Sequence, residues 1–309
     1  MADGARHSIG YIPEVTYGTT PTSTPAFQLL RNTSVSLALQ KDGLKSEEIR
    51  PDFQLFAFRQ GAYKIAGDIG IEMSYGTYDD LLANLLKSTW GGAGTNVLKA
   101  GVARSSFTFE RNFADIADDP YHWYTGCEID KMTLTLANNA IVKGQFSLLG
   151  QNMTIGAAAM TGATHTNPTT TPVFDAFTGT INEGGSSIAV VTELQLSIAA
   201  GLQGRYVVGS KLSRRPTPGF FDITGTLTAY FEDSTMLNKF INGTESSVSF
   251  TLMDSLNNSL QVNIPRVIYT GAPPDVKGIG PVTLAMPFQA LLDATTTNSN
   301  IVITRTPHA

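Results

Sequence analysis

Residues 221–250 read FDITGTLTAYFEDSTMLNKFINGTESSVSF. Ile223, Leu227, Ala229 and Phe231 alternate with Thr224, Thr226 and Thr228, the period-2 pattern of a strand with one buried and one wet face. Asp233 or Ser234 then offers a side-chain acceptor to the free amides of a helix start. Met236, Leu237, Phe240 and Ile241 share one helical face, and Asn242-Gly243 ends the helix because both residues tolerate the left-handed conformation. Val248, Phe250 and Leu252 resume the alternation. The stretch therefore predicts strand, short helix, strand, with the helix laid against a sheet.

Residues 63–90, YKIAGDIGIEMSYGTYDDLLANLLKSTW, say nearly the same thing about 156 positions earlier. Ile69, Ile71, Met73 and Tyr75 alternate, Thr77 can cap, and Tyr78, Leu81, Leu82, Leu85 and Leu86 form a helical face. The flanks keep the order: SVSLAL (34–39) and ELQLSI (193–198) come before the long strands, SFTFERNF and SVSFTLMD after the helices. GCEIDKMTLTLA and SLQVNIPRVIY follow, then IVKGQFSLLG and GPVTLAMPFQALLD. These repeats predict a mainly β chain built from two tandem β-sandwich or barrel copies, each with one flanking helix. Residues 1–28 read as an N-terminal arm, 29–155 as copy one, 156–179, poor in charge and rich in Thr, Ala and Gly, as a linker, and 180–309 as copy two.

Composition narrows the function. At 309 residues with 42% apolar content the chain can bury sizeable cores. A net charge of −5 disfavours a broad nucleic-acid or anionic-membrane face, which needs Lys and Arg. No apolar run approaches a membrane span or a signal peptide, so the expectation is synthesis in the cytosol without membrane insertion. The single cysteine, Cys127, permits neither an intrachain disulfide nor a cysteine metal site and reads as a small buried residue.

Catalytic patterns are missing from the sequence. The four histidines lack the i, i+4 spacing of a zinc helix, and Asp115, Asp118 and Asp119 lack the ligand alternation and glycine of a calcium loop. No Gly-x-Ser-x-Gly turn occurs, and GRYVVGSKLS (204–213) has the wrong order and context for a phosphate loop. The expectation is a non-enzyme with no cofactor and no metal. Lys211, Arg214 and Arg215 form the one notable basic cluster, read as salt-bridge partners between subunits.

The strand, long loop, strand, helix, strand order, with VTELQLSIAAG, FDITGTLTAYFED, GYIPEVTYGTTP and GDIGIEMSYGTYDDLLANLL, resembles the major tail tube proteins of long-tailed, non-contractile bacteriophages. The resemblance implies subunits joined sheet to sheet into rings, rings stacked into a tube, and DNA passing through the lumen at ejection. A duplicated chain implies a ring of three chains with pseudo-sixfold symmetry, with tape-measure, tail-tip and tail-terminator proteins as further partners in the virion.

On that reading the lumen-facing positions are the polar alternates of the long strands: Asp68, Gly70, Glu72 and Ser74, then Thr224, Thr226, Thr228 and Tyr230. The arm, the linker and the loops 41–59 and 202–216 are expected to reach adjacent rings, so Lys41, Glu47, Glu48, Arg50, Lys211, Arg214 and Arg215 are expected at contacts between subunits or rings. Two rival readings remain: the inner tube of a contractile injection machine, and a glycan-binding or adhesin-type two-domain β-sandwich. The second needs exposed aromatics, whereas Trp90 and Trp123 read as core anchors.

Overall fold

The computed structural model describes residues 3–91, 96–276 and 278–308. The first half comprises β1 (His7–Pro13), β2 (Ala26–Leu29), β3 (Ser34–Val35), β4 (Ala38–Lys45), β5 (Phe58–Glu72), α1 (Asp79–Leu85), β6 (Val97–Lys99), β7 (Phe107–Phe113), β8 (Tyr121–Ala137), β9 (Lys143–Gly150) and β10 (Asn152–Gly156). After β11 (Thr164–Thr166) come β12 (Thr180–Glu183), β13 (Ser186–Ser187), β14 (Val191–Ala199), β15 (Gln203–Arg205), β16 (Arg214–Thr217), β17 (Asp222–Tyr230), α2 (Thr235–Ile241), β18 (Ser246–Met253), β19 (Ser259–Tyr269), β20 (Pro274–Asp275), β21 (Thr283–Ala290) and β22 (Val302–Thr306).

One antiparallel ladder crosses both halves in the order β4, β5, β9, β8, β14, β17, β21, with β3 beside β4 on the edge of β5. Two smaller sheets join it, one through β8 and one through the pairing of β19 with β21. The first runs β11, β2, β1, β7, β8, β10 and the second β6, β22, β19, β18, β12, β13. β8 and β19 each belong to two sheets, so each turns a corner. In β8 the corner falls at Gly126, where φ is +66° and a Cβ would stand 2.9 Å from the Tyr17 ring. Glycine fits that bend because it has no Cβ to clash.

Alternation buries the sheet as expected. Ile223, Leu227 and Ala229 are buried in β17, as are Ile69 and Ile71 in β5 with Met73 just beyond it. They join one apolar cluster with Leu134, Leu196, Phe146 and Phe288, so the core is continuous across the two halves. Burying each such large side chain stabilises by about 1.5–3 kcal/mol.

The two helices differ. α1 buries Leu81, Leu82 and Leu85, whereas α2 has no fully buried residue and leaves Phe240 and Ile241 exposed. Thr77 does not cap α1: its hydroxyl pairs with Ser74 Oγ at 2.6 Å instead. At α2, Asp233 Oδ1 accepts the Thr235 amide at 2.8 Å, and Gly243 follows the C-cap with φ +60°.

Two expectations about the connecting segments need correction. Within 1–28, β1 pairs along its whole length with β7 and buries Ile9 and Tyr11, because its own apolar alternation supplies a core face. Within 156–179, β11 pairs in parallel with β2, and Phe174 is fully buried with its amide bonded to the Met73 carbonyl. Residues 7–13 and the stretch around β11 and Phe174 are thus packed into the fold.

Candidate assembly face and seam

The strand registers align side chains into lateral rows. One row runs Ser34, Gly70, Gln145, Thr133, Ser197, Thr224, Gln289. The next runs Glu72, Lys143, Thr135, Gln195, Thr226, Pro287, and a third Ala137, Glu193, Thr228, Ala285. A fourth runs Asp68, Ser147, Lys131, Ala199, Asp222. Directly paired residues share a face. These rows therefore make one polar surface, while the intervening rows, such as Leu136, Leu194, Leu227, Met286, make the core face.

Threonine suits such a surface, because its branched Cβ favours the extended backbone while its hydroxyl keeps the face wet. The charged groups in the four rows are Asp68, Glu72, Glu193 and Asp222 against Lys131 and Lys143. Carboxylates outnumber ammonium groups there by four to two. Asp68, Glu72, Thr224, Thr226 and Thr228 all lie on this face, and Asp68 Oδ1 accepts from Ser147 Oγ at 2.6 Å. Ser74 does not: β5 ends at Glu72, and the Ser74 side chain is buried and bonded to Thr77.

The two halves meet where β8 pairs with β14, from Glu193 opposite Ala137 to Ala199 opposite Lys131. Beside this seam the β15–β16 hairpin of the second half folds onto the first. The Tyr63 amide donates to the Lys211 carbonyl at 2.7 Å, and Gln151 Nε2 to the Ser213 carbonyl at 2.7 Å. At its base Arg215 Nε lies 2.7 Å from Glu128 Oε1. Glu128 is fully buried and also takes Arg104 Nη2 at 2.9 Å and Lys87 Nζ at 3.2 Å. Burial alone would raise the Glu128 carboxyl pKa, but Lys87 and the two arginines hold it below its ordinary value. Burial pushes the Lys87 ammonium pKa down, and Glu128 only partly restores it.

The expected contact residues divide accordingly. Arg215 is engaged within the chain. Lys41 and Lys211 both stand over the Tyr63 ring, at 4.9 and 5.6 Å from its centroid. Arg50 pairs with Asp52 and covers the Phe56 ring, while Glu47, Glu48 and Arg214 are exposed. The loop carrying Glu47, Glu48 and Arg50 also displays Ile49 and Phe53 almost wholly exposed, at 99% and 98%. The expectation that the basic cluster 211–215 bridges subunits is corrected at Arg215, whose acidic partner Glu128 lies in the same chain, mid-strand in β8, where it carries no local signal.

Trp90 and Trp123 donate their indole N–H groups inside the chain, to the Asp79 carbonyl at 3.0 Å and to Glu110 Oε2 at 2.7 Å. Among the described residues no group of three or more His, Cys, Asp or Glu is placed to hold a metal ion. No helix among them is long and apolar enough to cross a membrane.

A sheet with one wall buried and the other polar, carrying exposed apolar loops, defines a protein that works through surfaces. The sequence profile of the family described as Phage tail tube protein matches residues 4–290. The chain belongs to that family. It is thus a structural component of the phage tail, one that assembles with itself and with other tail proteins into the tube. No curated protein matches the sequence.

Proposed function

We propose that the chain is the duplicated, two-domain tube subunit of a long-tailed, non-contractile phage, with the halves 29–155 and 180–309 as the two copies. Three chains close a ring of six copies, rings stack, and double-stranded DNA passes through the lumen at ejection. The observation that carries the reading is the polar surface spanning both halves, on which Asp68, Glu72, Thr224, Thr226 and Thr228 lie; the reading turns that surface to the lumen. Its excess of carboxylates suits passage of a polyanion, because each Lys or Arg contact with phosphate would hold the DNA and release counterions.

Ring closure also answers an energetic need, since unpaired strand edges are templates for uncontrolled association and pairing them removes the hazard. Stacking is assigned to the loop 46–57, with Glu47, Glu48 and Arg50 around exposed Ile49 and Phe53, and to the hairpin tip near Lys211 and Arg214. Tape-measure, tail-tip and terminator proteins set length and ends.

The test is a lysine pair on the polar face, Gln195→Lys with Thr226→Lys. Tubes should still assemble, and DNA release from reconstituted virions should slow by roughly an order of magnitude, with the effect fading as salt rises. Unchanged release kinetics at low salt would remove this face from the lumen.

A further inference from the structure

The seam inside the chain has a counterpart at the chain's two ends. β17 pairs with β14 and β21 as β5 pairs with β3–β4 and β9: Gly225 stands between Leu196 and Phe288, and Ile69 between Val35 and Phe146. Ser197 opposite Thr224 thereby corresponds to Ser36, whose amide donates to the Asp68 carbonyl at 2.9 Å. On the other side, Thr133 opposite Gln145 corresponds to Thr270, whose amide donates to the Pro287 carbonyl at 2.8 Å. The first of these counterparts is serine in both halves and the second threonine in both.

Within the chain, Ser197 is paired with Thr133. Ser36 and Thr270 are both exposed, on opposite ends of the ladder, and among the described residues no strand pairs with the outer side of either segment. Cover is missing at both ends in the same pattern. Leu196 is buried while its counterpart Val35 is only half-buried, and Leu85 of α1 is buried while Ile241, 156 positions on in α2, is 66% exposed.

We infer that the seam between β8 and β14 is the template for the seam between chains: residues 268–272 of one copy pair antiparallel with residues 34–38 of a second copy, with Thr270 opposite Ser36 and Tyr269 opposite Leu37. The contact is head to tail, the arrangement that makes a ring when its rotation closes. Because Ser36 turns its amide inward to Asp68, Leu37 turns its backbone groups outward. The Leu37 carbonyl accepts from Arg111 Nη1 at 3.0 Å and keeps a second lone pair for the Tyr269 amide. Thr270 and Ser36 then form the closely spaced, non-hydrogen-bonded pair, while Pro273 and Pro274 end the pairing because they lack an N–H.

This inference rests on the ring reading, and cysteine pairs separate the two. Ser36→Cys with Thr270→Cys, oxidised after assembly of the full chain, should move most of the protein from the monomer band into covalently closed oligomers on a non-reducing gel. Thr133→Cys with Ser197→Cys is the internal reference and should link within one chain. Ser34→Cys with Thr270→Cys, two residues out of register, should stay unlinked. Assembled tubes in which the out-of-register pair links, or neither pair does, overturn the register and leave the ring reading standing. Failure of the internal reference pair to link removes the template and overturns the inference. Wild-type chains that stay monomeric across concentrations and beside tail-tip seeds contradict the ring reading itself.

Discussion

Arg215, on the β16 strand of the second half, donates through Nε to the buried carboxylate of Glu128 on β8 of the first half, at 2.7 Å. Two other cations share that carboxylate, Arg104 and the buried Lys87. The pairing fixes the β15–β16 hairpin to the opposite half beside the internal seam. Glu128→Gln leaves Lys87 buried without its counter-ion, which costs about 3–5 kcal/mol. Denaturant unfolding should show that loss, and hydrogen exchange should show the hairpin amides opening first. The exposed pair Arg266 and Glu245 lies in water, so Glu245→Gln should leave stability unchanged.

Acid should loosen the edge formed by β1. His7 Nε2 accepts from Arg111 Nε at 2.9 Å, and burial, then the Arg111 charge, lower the imidazole pKa to about 4. The unfolded chain therefore binds this proton from about pH 6.5 downward while the folded chain does not. Stability from this group is intact above about pH 6.5, falls as pH drops towards about 4, and changes no further below it. Unfolding midpoints between about pH 7 and 4 should fall for the wild type and fall less for His7→Gln; parallel curves would show that His7 is not the titrating group.

The loop tip should matter for stacking and not for folding. Ile49 and Phe53 touch almost nothing within the chain, so replacing both with Ser should leave the melting temperature unchanged. Sedimentation should then find rings in place of long tubes. Long tubes from the double variant would move the stacking contact elsewhere.

Cys127 should be silent towards thiol reagents. It is fully buried, and burial raises its thiol pKa well above the ordinary value. Ellman's reagent should react only on unfolding, and prompt reaction of the native chain would contradict the packing around Gly126 and Gly150, the second of which has its Cβ position 2.6 Å from the Cys127 sulfur.

Much of the sheet is legible in the sequence because period-2 alternation has a direct physical cause. Ile223, Leu227 and Ala229 have to face one way and Thr224, Thr226 and Thr228 the other, and the burial of the first set follows. Ser74 departs from its expected place because alternation alone does not reveal where a strand stops, and here it stops at Glu72 before the Gly76 turn. Residues 7–13 look like part of an arm because a short strand beside polar, Gly-rich sequence has little local signature; its partner β7 lies about a hundred residues away. Long-range choices of this kind, β8 with β14 and Arg215 with Glu128, depend on tertiary packing that no local pattern records.

Whether chains close into rings and rings into a tube is read from electron microscopy of the purified protein over a concentration series, with and without tail-tip seeds. Hollow tubes should form, and their end-on views should have threefold symmetry with six similar lobes. Rings of six chains would contradict the duplicated subunit, and dispersed monomers under every condition would contradict the tube.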